Sequence, residues 1–284
     1  MRQVHDDAAP ERDDAAREHR DTPRRRGRVP AALLIPAGLG LLFLVLPLVG
    51  LVIRAPWTTL PQRLTEPGAL TALRLSVQTA TLATALCLLL GVPLAWLLAR
   101  VEFPGRRLVR ALVTVPLVLP PVVGGVALLL VFGRRGLLGG WLDTTFGITL
   151  PFTTTGVVLA EAFVAMPFLV IAVEGALRAA DHRYEEAAAT LGASRWTAFT
   201  HVTLPLVAPG LAAGAVLCWA RALGEFGATI TFAGNYPGRT QTMPLAVYLA
   251  LETDLESAIV LSLVLLVVSV GILVALRDRW MSTA

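Results

Sequence analysis

RYEEAAATLGASRWTAFTHVTLPLVAP, residues 183 to 209, is a polar stretch set between two apolar runs in a chain that is otherwise mostly apolar. Tyr184 to Leu191 carries Ala or Glu at nearly every position, and both are strong helix formers. Gly192 follows, a residue free to take the left-handed turn that ends a helix. Ser194 is placed to N-cap a second short run through His201, and Pro205 closes the insert where the next span begins. The spacing predicts a helix–Gly–helix hairpin, a compact knob held beside a membrane and offered to the water phase.

Around this hairpin, 55% of the 284 residues are hydrophobic and the mean hydropathy is +0.69, beyond the balance of an ordinary soluble domain. A run of about 20 apolar residues crosses a bilayer's hydrocarbon core. Six such runs are expected, at 31–53, 73–98, 112–132, 156–173, 206–223 and 258–276. The expected fold class is therefore an all-α integral membrane protein with six transmembrane helices, the hairpin lying between spans four and five. Residues 1–30 form a tail dense in both charges and without apolar periodicity, expected to be disordered. The apolar run behind it is too long for a signal peptide. Residues 31–279 make the membrane domain and 280–284 a C-terminal tail. The cluster Arg24, Arg25, Arg26 and Arg28 either touches anionic lipid headgroups or acts only as a topology signal.

All 24 basic residues are Arg. Six spans put both ends on one side. That side, with the tail, the 100–110 turn, Arg178 just before the hairpin, the hairpin itself and the C-terminus, carries 17 of the arginines. Arg54, Arg63, Arg74, Arg134, Arg135 and Arg239 fall on the other, and Arg221 lies inside the fifth span. The positive-inside rule places both termini and the hairpin in the cytoplasm of a multi-pass protein of the bacterial cytoplasmic membrane. With no Lys there is no Walker A lysine, so the chain cannot bind ATP through a P-loop of its own. Two Cys and four His at these positions make neither a disulfide framework nor a metal-ligand set. No nucleophile with a base partner is visible, and neither a bound metal, a cofactor on this chain nor a nucleic-acid partner is expected.

Within the spans, Gln78, Thr81 and Thr84 recur at three-residue spacing on one expected helix face, with Arg74 near the outer mouth. They either line part of a pathway for an anion through weak, distributed contacts or mediate helix packing. Arg221 and Glu225 are four apart and able to pair where the fifth span gives way to Gly224 and Gly227. The junction is either a gate, with the glycines supplying backbone freedom, or a static pair that shields two charges. Glu161 is an acid inside a span, expected to be protonated or hydrogen-bonded to another helix, away from any anion path.

Glu186-Ala187-Ala188, three residues, Gly192, nine residues, then Val202-Thr203-Leu204-Pro205 resembles the EAA loop of ABC importer permeases, with Val202 in place of Ile. The resemblance implies a coupling helix that docks in a cleft of an ATP-binding subunit. Glu185, Glu186 and Arg195 would offer charge there, the small Ala187 and Ala188 would allow close approach, Gly192 would turn the chain, and Leu204-Pro205 would lead into the span. Farther on, ALGEFGAT (222–229) followed by FAGNYPGRTQT (232–242) is similar to the molybdate and tungstate permeases, as is the stretch 119–139. Phe226, Ala228-Thr229 and Thr240-Gln241-Thr242 set it apart from the related sulfate permeases. The resemblance covers about Leu33 to Arg279. It implies molybdate import by alternating access, with ATP and Mg held by two copies of an ATPase subunit, an extracytoplasmic molybdate-binding protein, a second copy of the chain itself, and surrounding membrane lipid. A sulfate, thiosulfate or tungstate permease is the alternative cargo reading. An ATP-independent secondary anion transporter would show inverted repeats or an intramembrane ion relay, and neither is visible.

Overall fold

The computed structural model describes residues 31–281. The expectations made for the 1–30 tail, and residues 282–284, lie outside the described residues. The chain divides near Gly50 into two units. The first contains all but the last turn of the apolar helix α1 (Ala31–Ile53), which keeps Pro36 and Pro47 inside it.

The second unit continues with α2 (Leu60–Leu64), α3 (Pro67–Arg100), α4 (Arg106–Val118), α5 (Pro121–Phe132), α6 (Gly139–Phe146) and α7 (Thr154–Ala179). Then come α8 (Arg183–Thr190), α9 (Arg195–Ala198), a π-helical turn (Phe199–Thr203), α10 (Leu204–Leu223), α11 (Gly227–Phe232), α12 (Met243–Thr253) and α13 (Leu255–Met281). Five helical stretches are long and apolar enough to cross a membrane, or six if the bent pair α4–α5 counts as one span. No strand occurs among the described residues.

Helices α3, α7 and α10 form the core. Lipid is as apolar as leucine, so helices in a bilayer associate by close packing rather than by escape from water, and small residues sit where they meet. Helix α3 follows that rule, burying Ala72, Ser76, Thr79, Ala80, Ala83, Cys87, Gly91 and Ala95 along one stripe. Leu169, Val170 and Val173 of α7 fill the space opposite. Helix α10 meets α7 through Gly210 and Gly214. A Cβ at Gly210 would lie 2.4 Å from the Ala176 Cβ, and one at Gly214 3.0 Å from the Ala172 Cβ. Only glycine at 210 allows α7 and α10 this approach.

The stretch expected as one span at 112–132 is two helices whose axes differ by 117°. Pro120 and Pro121 supply no N–H, and a residue before proline is held out of the helical region. Leu119 is accordingly extended, at φ −70° and ψ 129°, as is Pro120 at ψ 132°. Between the spans, α6 lies within 133–154 and α11 within 224–242, and the apolar α12 precedes the last span. At the α12–α13 junction, Arg63 of α2 bonds Asp254, Ser257 (2.5 Å) and Glu256 (2.8 Å). The Ser257 hydroxyl and the Arg63 guanidinium hold the Asp254 carboxyl down at about 2.

Candidate functional site

The hairpin forms as the local chemistry dictates. Helix α8 ends in a Schellman motif: the Gly192 N–H bonds Ala189 O (3.0 Å) and the Ala193 N–H bonds Ala188 O (3.0 Å). That geometry requires the left-handed φ of +87° found at Gly192. The Ser194 hydroxyl then accepts from the Thr197 N–H at 3.1 Å and caps α9. The π turn follows, its widened ladder carrying the chain into α10 with Leu204 and Pro205 in the first turn.

The hairpin has an inner and an outer face. Glu185 belongs to the inner one. Its carboxylate pairs with Arg100 Nη2 at the end of α3 (2.9 Å) and accepts from the Thr203 hydroxyl (3.0 Å). The Arg100 side chain is only 5% exposed, and its other guanidinium nitrogen lies 2.6 Å from His182 Nε2. Glu185 was expected to offer charge outward, beside Glu186 and Arg195. The structure turns it inward instead, because the buried Arg100 demands an anion. Glu186, Ala187 and Arg195 do face out, with Leu191 at 90% and Trp196 at 73% exposure.

Sequence reading missed the brace beneath the hairpin. Glu174 of α7 accepts from Arg110 Nε (3.0 Å) and Nη2 (2.7 Å) on α4, and from Arg178 (2.7 Å) one turn along its own helix. Arg106 and Arg110 also donate to the last carbonyls of α3, Arg106 Nε to Leu98 O at 2.8 Å and Nη2 to Ala99 O at 3.2 Å. Those carbonyls have no partner within their own helix. Four arginines counted in the sequence only as topology signals therefore lock α3, α4, α7 and α8 together. The sequence signal was the unexplained Glu174 near the end of an apolar run.

The residues proposed for the pathway do not share a face. Arg74, Gln78 and Thr81 are exposed, whereas Thr84 is buried and donates to its own helix at Ala80 O (2.7 Å). Each three-residue step falls about 60° short of a full turn, so the second step carries Thr84 round to the core side. Thr81 accepts from Trp219 Nε1 of α10 at 3.2 Å.

At the junction after α10, Arg221 and Glu225 pair at 2.5 Å. The helix stops at Leu223, and Glu225 Oε1 accepts from the Ala228 N–H (2.9 Å) at the start of α11. The glycines here do not occupy backbone regions closed to other residues. Gly224 sits at φ −89°, and Gly227 is instead a contact, since a Cβ there would lie 2.9 Å from the Pro121 Cβ. Glu161 is buried and accepts from the Thr79 hydroxyl of α3 at 2.9 Å, the bond to another helix that was expected for it. Cys87 and Cys218 are both free and buried, and no group of side chains able to hold a metal ion occurs among the described residues.

Residues 91–283 match the family described as binding-protein-dependent transport system inner membrane component. The chain is 49% identical over 251 residues to the molybdenum transport system permease protein ModB of Mycobacterium bovis, covering 88% of this chain and 95% of that one. The ModB protein of Escherichia coli K12 is 44% identical over 211 residues, 74% of this chain and 92% of the other. Among solved structures, a bacterial ABC transporter involved in import of the acidic polysaccharide alginate superposes with a TM-score of 0.72 over 88% of this chain and 94% of the other, at 18% identity. At that identity the likeness concerns the fold alone.

Proposed function

The chain belongs to the family of binding-protein-dependent transport system inner membrane components, and on that premise we propose that it is the permease subunit of an ABC importer for molybdate. A member of this family is a transport component rather than an enzyme. The observation that carries the powering mechanism is the two-faced hairpin. Its outer face presents Leu191, Trp196, Glu186 and Arg195 to a partner, while its inner face is bonded through Glu185 to the end of α3 and to the π turn leading into α10. A push on the outer face reaches the spans without passing through a flexible link. The absence of lysine supports ATP and Mg being held on a separate ATPase chain.

The permease works as two copies with two ATPase chains and receives its cargo from an extracytoplasmic binding protein. Both termini and the hairpin lie in the cytoplasm, as the arginine distribution favours. The molybdate assignment rests on the ModB relatives together with Phe226, Ala228-Thr229 and Thr240-Gln241-Thr242. The test is uptake of labelled molybdate by the reconstituted complex of permease, ATPase and binding protein, with tungstate and sulfate as competitors. ATP-dependent uptake displaced by tungstate but not by sulfate is expected. Displacement by sulfate at equal concentration would make this a sulfate permease. Uptake without ATP would overturn the ABC reading.

A further inference from the structure

At the end of α7 opposite the hairpin lies a cavity of about 460 Å³, lined by Leu129, Gly133, Arg134, Thr149, Pro151, Phe152, Thr153 and Arg239. Arg134 and Arg239 both line it and no Asp or Glu does. Neither Arg134 nor Arg239 takes part in an ion pair or side-chain hydrogen bond found among the described residues, whereas Arg100, Arg110, Arg178 and Arg221 all do. Two uncompensated cations beside one cavity repel each other and make a standing positive potential, which an anion between them would neutralise.

Both arginines are carried on backbone that is built, not loose. After α5 the chain folds back on its own helix, with Leu137 N–H bonding Leu130 O (3.1 Å) and Leu138 N–H bonding Val131 O (2.8 Å). This hairpin holds Arg134 at the cavity. Arg239 sits in a turn whose residues 239, 240 and 241 all donate to Tyr236 O, and its own carbonyl accepts from the Thr154 hydroxyl at 2.9 Å. The lining also contains Phe152, the single non-glycine residue with positive φ (59°) among those described. Such a conformation costs about 1–3 kcal/mol and persists where the surroundings impose it. Charged groups on rigid backbone, at a site with strained geometry, are arranged for a ligand rather than for their own stability.

We propose that this cavity is an outer anion site, in which Arg134 and Arg239 together hold a doubly charged tetrahedral oxyanion between its release from the binding protein and its entry among the spans. The proposal rests on the oxyanion-importer reading. Guanidinium suits the task because it is always charged and donates in a planar fork to oxyanion oxygens, and the Thr149 hydroxyl has no other partner among the hydrogen bonds found. Arg74, the outer arginine singled out in the sequence, does not line this cavity. The site also lies beyond Glu161. Helix α7 begins at Thr154 and rises about 1.5 Å per residue, so that carboxyl is about 10 Å deeper, and the anion waits where no acid lines the wall.

The test uses the complex of permease and ATPase in lipid nanodiscs, with labelled tungstate as the probe and no binding protein present. Equilibrium dialysis is expected to show tungstate binding that weakens about tenfold or more in R134Q/R239Q, for the loss of two charge-assisted contacts. Binding within about threefold of wild type is expected in R134K/R239K, which keeps the charge. Uptake in proteoliposomes with binding protein should fall in the Gln pair and recover in the Lys pair. Equal tungstate binding by wild type and the Gln pair overturns the proposal. So does unchanged tungstate binding with a weakened grip on the binding protein, which would mean that the arginines hold carboxylates of that protein. If the wild-type complex takes up neither molybdate nor tungstate, the importer reading for this cargo fails, and the dialysis result still decides the anion site by itself.

Discussion

The two ends of α7 use arginine in opposite ways. At its C-terminal end Arg100, Arg110 and Arg178 are bonded to Glu185 and Glu174, and Arg106 to the end of α3. At its N-terminal end Arg134 and Arg239 reach a cavity with no acid in its lining. Charge at the first end makes one rigid assembly of α3, α4, α7 and the hairpin. Charge at the second end stabilises nothing found in the chain itself. The sequence shows the same residue type at both ends; the difference lies in whether a carboxylate stands opposite.

Substitutions at the two ends should therefore separate cleanly. The largest loss is expected from Glu185→Ala, which leaves Arg100 in a nearly closed site without its anion. Breaking a fully buried pair costs about 3–5 kcal/mol. With Glu185 24% exposed, about 2 kcal/mol is expected, read as a lower unfolding temperature of the purified complex, together with loss of ATP-driven uptake. If Glu185→Ala unfolds like wild type, the hairpin end is not the rigid one. Glu174→Ala should follow, at about 1–2 kcal/mol, because it frees two partly exposed arginines at once. Gly192→Val should cost about 1–2 kcal/mol by backbone conformation alone, since space around the Cβ position is open. Gly192→Asn should recover most of that. Arg134→Gln and Arg239→Gln should each change stability by less than about 0.5 kcal/mol while lowering uptake. A large stability loss there would break the contrast between the ends.

The smallest effect concerns the Arg63–Asp254 link. The folded-state value of Asp254 is depressed to about 2. Its contribution is therefore fully present above the ordinary Asp value of 3.8 and is lost as pH falls through about 2. Arg63→Ala should move that acid edge upward toward the ordinary carboxylate range, measured as unfolding temperature against pH.

How far the chain could be read in advance follows from the range of the interactions. The hairpin was legible because its signals are local: Ala and Glu for the first helix, Gly192 for the left-handed turn, Ser194 for the cap of the second. The apolar runs were legible as spans because the bilayer demands length and little else. Hydropathy carries no direction, so Pro120 and Pro121 were visible while the 117° turn they cause was not. The misplacement of Thr84 came from treating three-residue spacing as a straight line on a surface that winds. Glu185 and Glu186 are adjacent and chemically alike. Only the position of Arg100, 85 residues away, decides which one faces inward. The Arg134–Arg239 site joins residues 105 apart, and no periodicity links them.

The contact at Gly210 has a mechanical consequence. With α10 pressed against Ala176 and Ala172, and α3 packed along it as well, α7 has little room to bend on the C-terminal side of its Pro167. Its 26 residues make an arm about 39 Å long. Tilted by about 10° around its midpoint, such an arm swings each tip about 3 Å, in opposite directions. One tip carries Glu174 and Arg178 and the other Thr154, bonded to the Arg239 carbonyl. A stroke at the hairpin that tilted α7 without bending it at Pro167 would arrive inverted at the arginine cavity.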